Sequence, residues 1–147
     1  MGARARAGVG DVVAAPVLDS DVLIDYLRDA GPGGDLVRRL RETLAFRITA
    51  VTAFELSLGS GYARDPAPAD ALLAAPCLTL TRAAAVRAGG LLRELRAAGE
   101  GIDVRDAMQA GICLEAGAPL VTRNVRHFAR VPGLRVTDPG VWLSPSD

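Results

Sequence analysis

The segment PVLDSDVLIDYLR, residues 16–28, changes its hydrophobic period part-way along and therefore predicts two consecutive elements. The apolar run from Val12 to Leu18 is typical of a buried strand, and it ends at Asp19. From Asp21 to Arg28 the apolar side chains follow roughly helical spacing. The segment thus predicts a buried strand that leads directly into an amphipathic helix, with an acid at the junction.

The remainder of the chain continues this alternation of short strands and helices. The predicted strands are residues 46–48, 77–80, 120–122 and 134–136; the predicted helices are residues 35–44, 69–74, 82–98 and 103–115, together with a helix that begins at Thr49 or Thr52, while GPGG at residues 31–34 ends the first helix. Alternating strands and helices predict parallel strands joined by helical crossovers. We therefore expect one three-layer α/β/α domain with a central, mainly parallel sheet.

The composition fits a single globular domain and restricts the classes of partner. The chain has 147 residues, of which 50% are hydrophobic and 23% are charged, and its formal net charge is zero. A neutral chain has no overall field that attracts nucleic acid, although a local basic rim remains compatible with such a partner. All 17 basic residues are Arg, so the abundance of Arg alone indicates no function.

The two cysteines, Cys77 and Cys113, lack the spacing of metal ligands, and we expect both to be buried as small apolar residues. Because the chain has a single His, we do not expect a zinc site. No apolar run is long enough to span a membrane, and the first residues lack the apolar core of a signal peptide. We therefore expect a cytoplasmic protein without membrane association, in which residues 1–14 form an N-terminal extension.

Three acids are expected at one edge of the predicted sheet. Asp19 closes the first strand, Glu55 lies on the helix after the second, and Asp106 lies near the start of a late helix. In open parallel sheets ligands bind beyond the carboxyl ends of the strands. A cluster of carboxylate oxygens suits Mg²⁺ or Mn²⁺ rather than zinc. Taken singly, each acid also has an ordinary explanation: a turn or helix cap for Asp19, a buried salt bridge for Glu55 and a helix-start acid for Asp106.

The acids next to these positions are interpreted as structural. Asp21 is expected to support the start of the first helix, where a carboxylate meets the positive end of the helix dipole. Asp25 lies one turn further on and is expected to be a solvated residue that can pair with Arg28. Asp103 is expected to begin its helix, and a role as an additional site acid is left open.

Four segments carry a resemblance to a known family: LDSDVLIDYLR (residues 18–28), TAFELSLG (52–59), IDVRDAMQAGICLEAGAPLVTRN (102–124) and VRHFARVPGLRV (125–136). In this order they resemble the PIN-domain ribonucleases, and more narrowly the VapC-type toxins of bacterial VapBC toxin–antitoxin pairs. The resemblance implies a PIN domain over residues 15–143. It also implies a homodimeric endoribonuclease that uses Mg²⁺, or Mn²⁺ as an alternative, to cleave structured RNA such as tRNA, and that is inhibited by a cognate VapB-type antitoxin.

The resemblance assigns three catalytic, metal-binding acids and two supporting polar residues, which are Asp19, Glu55 and Asp106, and Thr122 and Asn124. His127 stands where many family members have an acid, so the number of metal ions is left open. Its side chain could bind a metal, transfer a proton, contact phosphate or lie at a helix end without a further role. Arg123 and Arg126 adjoin the site and are expected to contact RNA phosphates.

Two other functions are left open at this point. One is a catalytically degenerate PIN module that binds an antitoxin or a regulatory complex without cleaving RNA, and the His127 departure is its main support. The other is a metal-dependent nuclease that acts on DNA, or a phosphatase-like α/β hydrolase. Assays on RNA, DNA and small phosphate esters distinguish these functions.

Overall fold

Five short strands form the centre of the structure, a computed structural model that describes residues 15–144. The strands are β1 (Val17–Leu18), β2 (Ile48–Thr49), β3 (Cys77–Leu78), β4 (Leu120–Val121) and β5 (Val136–Thr137). β1, β4 and β5 pair in parallel, β2 and β3 pair in parallel, and a parallel bridge between Val17 and Arg47 joins the two groups. The spatial order is therefore β3-β2-β1-β4-β5, which confirms the predicted parallel sheet.

Nine helices occur within residues 15–144: α1 (Ser20–Leu27), α2 (Gly31–Leu40), α3 (Ala50–Leu58), α4 (Ser60–Arg64), α5 (Ala67–Leu73), α6 (Arg82–Ala97), α7 (Val104–Ala116), α8 (Val125–Phe128) and α9 (Pro139–Leu143). The sequence does not predict α4, α8 or α9, because helices of four or five residues are too short to show a hydrophobic period. Within the same residues, no helix combines the length and the apolar character needed to cross a membrane. The predicted N-terminal extension, residues 1–14, lies outside the described part of the chain.

Apolar side chains pack on both faces of the central sheet, which confirms the α/β class and its layered arrangement. Val17 and Leu120 belong to a cluster that includes residues of α6 and α7, whereas Leu18 and Val121 belong to a second cluster with residues of α1 and α2. Successive residues of a strand point to opposite sides, so even a two-residue strand supplies both clusters. Because both faces are covered, the strand ends remain as the places where polar side chains meet a ligand.

The prediction that GPGG only ends the first helix is wrong, because these four residues form the first turn of α2. Pro32 suits a helix start, since its φ is already helical and its missing N–H is not needed there. A Cβ on Gly33 would lie 2.6 Å from Asp25 Oδ2, so this glycine lets α2 pack directly on the Asp25 side chain. Gly31 has a φ of 59°, which a residue with a side chain rarely adopts.

Cys113 is buried as predicted, but the same prediction is wrong for Cys77, which is exposed. Cys77 lies on β3, and β3 pairs with β2 alone among the strands of the described residues. An edge strand is covered on fewer sides than a central one, and no short sequence pattern distinguishes the two.

Gly111 allows α7 to pack closely against α6. A Cβ at this position would lie 2.6 Å from the Ala84 carbonyl oxygen and 3.1 Å from the Ala88 Cβ. Gly111→Ala is therefore expected to lower the free energy of unfolding by about 1–3 kcal/mol, because the two helices must move apart. Urea denaturation measures this change.

The matched control is Gly89→Ala on α6, where nothing lies within 4 Å of the added Cβ. This control variant should raise the free energy of unfolding by up to about 1 kcal/mol. Similar effects at both glycines would contradict the close helix contact.

Candidate active site

Asp19 lies at the centre of a polar cluster at the carboxyl end of β1. It is the N-cap residue of α1, and its Oδ1 accepts hydrogen bonds from the Ser20 N–H at 2.9 Å and from Gln109 Nε2 at 3.2 Å. Its Oδ2 accepts a hydrogen bond from Thr122 Oγ1 at 2.8 Å. Asp19 is only 7% exposed. Burial, followed by the charge of Asp21, raises the pKa of its carboxyl to about 7. The ionised form of this acid is therefore costly unless a cation lies nearby.

Glu55 on α3 and Asp106 on α7 stand beside this cluster. Glu55 Oε1 accepts a hydrogen bond from Ser20 Oγ at 2.9 Å, and its other carboxylate oxygen lies 3.8 Å from Arg105 Nη1. Burial is the main cause that raises the pKa of Asp106. The charge of Glu55 also contributes to the raised pKa of both Asp19 and Asp106. Glu55 is thus close enough to both Asp19 and Asp106 for its charge to disfavour their ionised forms.

Thr122, Asn124 and His127 follow β4 and lie against these acids. Thr122 Oγ1, which donates to Asp19, accepts a hydrogen bond from the Asn124 N–H at 3.0 Å. The Asn124 Nδ2 lies 2.9 Å from His127 Nδ1, and the same ring nitrogen lies 4.0 Å from Asp106 Oδ2. With the Asn124 amide nitrogen as the donor, His127 Nδ1 accepts, and this arrangement corresponds to the tautomer with the ring proton on Nε2. The structure therefore brings His127 next to the third acid.

Asp103 begins α7 as expected. It is the N-cap residue of that helix, and its Oδ1 accepts a hydrogen bond from the Arg105 N–H at 2.8 Å. Its negative charge contributes to the raised pKa of Asp106. Asp103 thus acts on the third acid through its charge, and its own carboxylate is exposed at the helix start.

Asp21 belongs to the cluster as well as to the start of α1. It lies in the first turn of that helix, as predicted. Its carboxylate accepts a hydrogen bond from the Arg123 backbone N–H at 3.1 Å and lies 3.3 Å from Thr122 Oγ1. Burial raises its pKa. Asp21 is therefore a fourth acid at this edge of the sheet. A local sequence pattern cannot distinguish such a site acid from an ordinary helix-start residue.

The prediction that Asp25 is solvated and pairs with Arg28 is wrong. Asp25 is 5% exposed, and its Oδ1 accepts a hydrogen bond from Arg123 Nη1 at 2.7 Å. Gly33 of α2 packs against the same carboxylate. The ion pair with Arg123 joins residues 98 positions apart, so no local pattern could reveal it. The Asp25–Arg123 ion pair therefore connects the loop after β4 to α1.

This ion pair makes Arg123 and Arg126 a matched pair of variants. Arg123→Ala is expected to lower the free energy of unfolding by about 1–3 kcal/mol, because it leaves the buried Asp25 carboxylate without its charged partner. Arg126 is exposed, and Arg126→Ala should change the same quantity by less than about 0.5 kcal/mol. Urea denaturation measures both changes. Unchanged stability in Arg123→Ala would show that the Asp25 pair contributes nothing and would leave RNA contact as the proposed role of Arg123.

The donor atoms of the cluster suit a hard divalent cation. The acids supply carboxylate oxygens as ligands, and a bound cation would offset the burial and the neighbouring negative charges that raise the pKa of Asp19 and Asp106. Among residues 15–144, however, no group of three or more His, Cys, Asp and Glu side chains is arranged closely enough to hold a metal ion. The chemistry of these residues therefore fits Mg²⁺ or Mn²⁺, and a complete ligand set requires the side chains to approach one another.

A groove of about 480 Å³ opens beside Glu55, between α1, α3, α4 and α5. Its lining includes the apolar side chains of Ile24, Leu27, Leu56 and Ala69 and the charged side chains of Arg28, Arg64 and Asp65. Because Glu55 also lines this groove, a molecule bound in it would reach the acidic cluster.

The order of elements and the acids at the strand ends agree with a known family. The model of the PIN domain matches residues 17–134, which is most of the chain. The chain belongs to the PIN-domain family. Among curated proteins, Ribonuclease VapC19 of Mycobacterium tuberculosis, from the strains CDC 1551 and H37Rv, is 31% identical over 123 residues. The match covers 81% of this PIN domain chain and 96% of the relative, which confirms the resemblance to VapC-type proteins.

Solved structures share the fold of this PIN domain. DNA-bound VapBC from Salmonella typhimurium has a TM-score of 0.71 and 23% identity, and the match covers 86% of this chain and 98% of that chain. VapBC-1 from nontypeable Haemophilus influenzae has a TM-score of 0.69 and 21% identity, with coverages of 84% and 97%. VapBC2 from Rickettsia felis, bound to a DNA fragment from its promoter, has a TM-score of 0.68 and 20% identity, with coverages of 83% and 96%.

Gln109 of this PIN domain lies in the cluster, and although it stands within the quoted segment at residues 102–124, the family resemblance assigns it no role. It is 1% exposed and contacts Asp19 on one side and two threonines, Thr49 and Thr52, on the other. One signal in the sequence could have identified it: a single amide stands three residues after Asp106, on a helix whose neighbouring residues are small and apolar. Residues at this spacing share a helix face, so a polar side chain there is expected to reach the same site.

Proposed function

We propose that this PIN domain is a divalent-metal-dependent endoribonuclease of the VapC type, which hydrolyses phosphodiester bonds in RNA. The observation that carries this proposal is the buried carboxyl of Asp19 at the end of β1, with Glu55 and Asp106 beside it. The name of the curated relative, a ribonuclease, supports the same reaction class. The proposed substrates are tRNA and other structured RNA.

Mg²⁺, or Mn²⁺ in its place, would be held by Asp19, Glu55 and Asp106, and when bound it supplies an activated water and positive charge at the phosphodiester. The other residues orient this site. Ser20 holds the Glu55 carboxylate through its hydroxyl, and Thr122 holds that of Asp19. Asn124 holds the His127 ring so that its Nε2–H is free to donate a hydrogen bond to a phosphate oxygen.

The groove beside Glu55 is the proposed site for a segment of a VapB-type antitoxin. Its apolar walls suit apolar side chains, and the acids at its end suit a basic residue of the partner. The VapBC complexes among the solved structures support a partner of this class. We also propose a homodimer, as the family resemblance implies; size-exclusion chromatography with light scattering tests it.

The function is tested with purified protein, total tRNA and either Mg²⁺, Mn²⁺ or EDTA. Matched single-stranded DNA, duplex DNA and a small phosphate ester are assayed in parallel. The expected result is cleavage of RNA that requires the metal and leaves the other substrates intact. Undiminished cleavage in EDTA would remove the metal from the proposal, and preferred cleavage of DNA or of the ester would identify a different hydrolase. Tight binding of an antitoxin without any cleavage would establish the non-catalytic module instead, which the assembled acids do not favour.

A further inference from the structure

We infer that Gln109 is a positioning residue that fixes the Asp19 carboxylate; its consequence for catalysis rests on the function proposed above. Gln109 is the only Gln in the chain, and it lies on α7 one helical turn after Asp106. Its side chain is completely enclosed by three other elements, at a relative exposure of 1%. A buried amide is costly unless all its hydrogen-bonding groups find partners, and here they do.

The hydrogen bonds of Gln109 have a defined direction. Its Nε2 donates to Asp19 Oδ1 at 3.2 Å and to Thr52 Oγ1 at 3.2 Å. Its Oε1 accepts a hydrogen bond from the Thr49 hydroxyl. The Thr49 hydroxyl oxygen in turn accepts from the Thr52 N–H at 3.2 Å, as the N-cap of α3. A flipped amide would turn its carbonyl oxygen toward the Asp19 carboxylate, so this arrangement holds the donor on the Asp19 side.

The direction of the Gln109 hydrogen bonds determines how the Asp19 carboxylate is oriented in the site. With Gln109 and the Ser20 N–H on Oδ1 and Thr122 on Oδ2, both oxygens are held and the carboxylate cannot rotate freely. The same amide links α7, which carries Asp106, to Thr49 and Thr52, which begin the helix that carries Glu55. Gln109 therefore connects α7 with the end of β1 and with the start of α3. Outer hydrogen bonds of this kind typically change metal affinity or activity by about 10- to 100-fold when removed.

The hydrogen bond itself is tested by NMR on the metal-free protein. The chain has one Gln and one Asn, so its ¹H–¹⁵N spectrum contains only two side-chain amide pairs, from Gln109 and Asn124. Asp19→Ala is expected to shift the Gln109 pair and speed its exchange with solvent, and to move the Asn124 pair less. Asp35→Asn, at an exposed position, should leave both pairs unchanged. A Gln109 pair that does not respond to Asp19→Ala would overturn the inference.

The consequence for the site is tested with Gln109→Met and with Gln109→Leu, which both keep a similar side-chain volume and remove the donor. Both are expected to weaken Mn²⁺ binding in calorimetry about 10-fold, and to lower kcat for RNA cleavage about 10- to 100-fold with little change in KM. Ile112→Val on the same helix is the control for stability. Ile112 packs against Val51 and Ala84, away from the acids, so this variant should keep wild-type Mn²⁺ affinity and kcat.

The outcomes separate this inference from the proposed function. Wild-type Mn²⁺ affinity and wild-type kcat in a folded Gln109→Met protein would overturn the positioning role. If Gln109→Met does not fold, Gln109→Leu and the Asp19→Ala amide spectrum decide the same question. If the wild-type protein itself neither binds Mn²⁺ nor cleaves RNA, the proposed function fails, and the amide spectrum alone decides whether Gln109 holds Asp19.

Discussion

Asp19→Asn is expected to lower the rate of metal-dependent RNA cleavage by about 10³-fold or more while the fold is retained. Asn has nearly the same shape, and its carbonyl oxygen can still accept hydrogen bonds from the Ser20 N–H and from Gln109, but it carries no charge to hold a cation. Asp106→Asn should have a comparable effect, because the third acid is removed in the same way. Initial rates on a labelled RNA measure the loss, and circular dichroism verifies the fold.

The control for this experiment is Asp35→Asn. Asp35 is exposed, pairs with Arg38 on the surface of α2 and contacts none of the site acids through a hydrogen bond or ion pair, so its neutralisation should leave the cleavage rate unchanged. Full activity in either Asp19→Asn or Asp106→Asn would remove the assigned acids from the mechanism.

The second large effect concerns stability, since metal-free wild-type protein is expected to become less stable as the pH rises from about 4 to about 7. The folded structure raises the pKa of Asp19 from 3.8 to about 7. Below the lower value the carboxyl is protonated in both folded and unfolded chains and has no effect. Above the upper value it is ionised in both, and burial penalises the folded form. The loss is on the order of a few kcal/mol, and Asp19→Asn should remove it.

Urea denaturation in EDTA at pH 5 and pH 8 measures this effect. Because Asp21 and Asp106 also have raised pKa values, the informative quantity is the difference between wild type and Asp19→Asn at each pH. At pH 8 the variant should be the more stable of the two, and Mg²⁺ should stabilise the wild type more than the variant. Equal pH dependence in the two proteins would contradict a costly Asp19 carboxylate.

Much of the fold could be predicted from local patterns, because the longer helices show a hydrophobic period and the strands lie in short apolar runs between them. The predicted helices at residues 82–98 and 103–115 differ from α6 and α7 by a residue or so at each end. GPGG was harder to interpret, because glycine and proline end one helix and begin the next with the same residues. The exposure of Cys77 depends on which strand lies at the edge of the sheet, and this is a property of the whole topology.

The candidate site was predictable where a rule of topology applied and unpredictable where long-range contacts decide. Asp19, Glu55 and Asp106 follow from the rule that ligands bind at strand ends, together with the family resemblance. The burial of Asp25 depends on Arg123, which no local pattern connects to it. A single amide in an apolar helix carries no recognisable role by itself, so the sequence does not assign one to Gln109, although its position three residues after Asp106 is a usable signal.

The contacts around Asp19 also determine when during synthesis the site can first exist. Its partners Gln109 and Thr122 lie 90 and 103 residues further along the chain, and Glu55 reaches Ser20 across 35 residues. A nascent chain that has not yet released β4 from the ribosome lacks the Thr122 hydroxyl that holds Asp19. For the proposed ribonuclease, this late assembly would keep the growing polypeptide inactive toward the ribosome and the tRNA that are producing it.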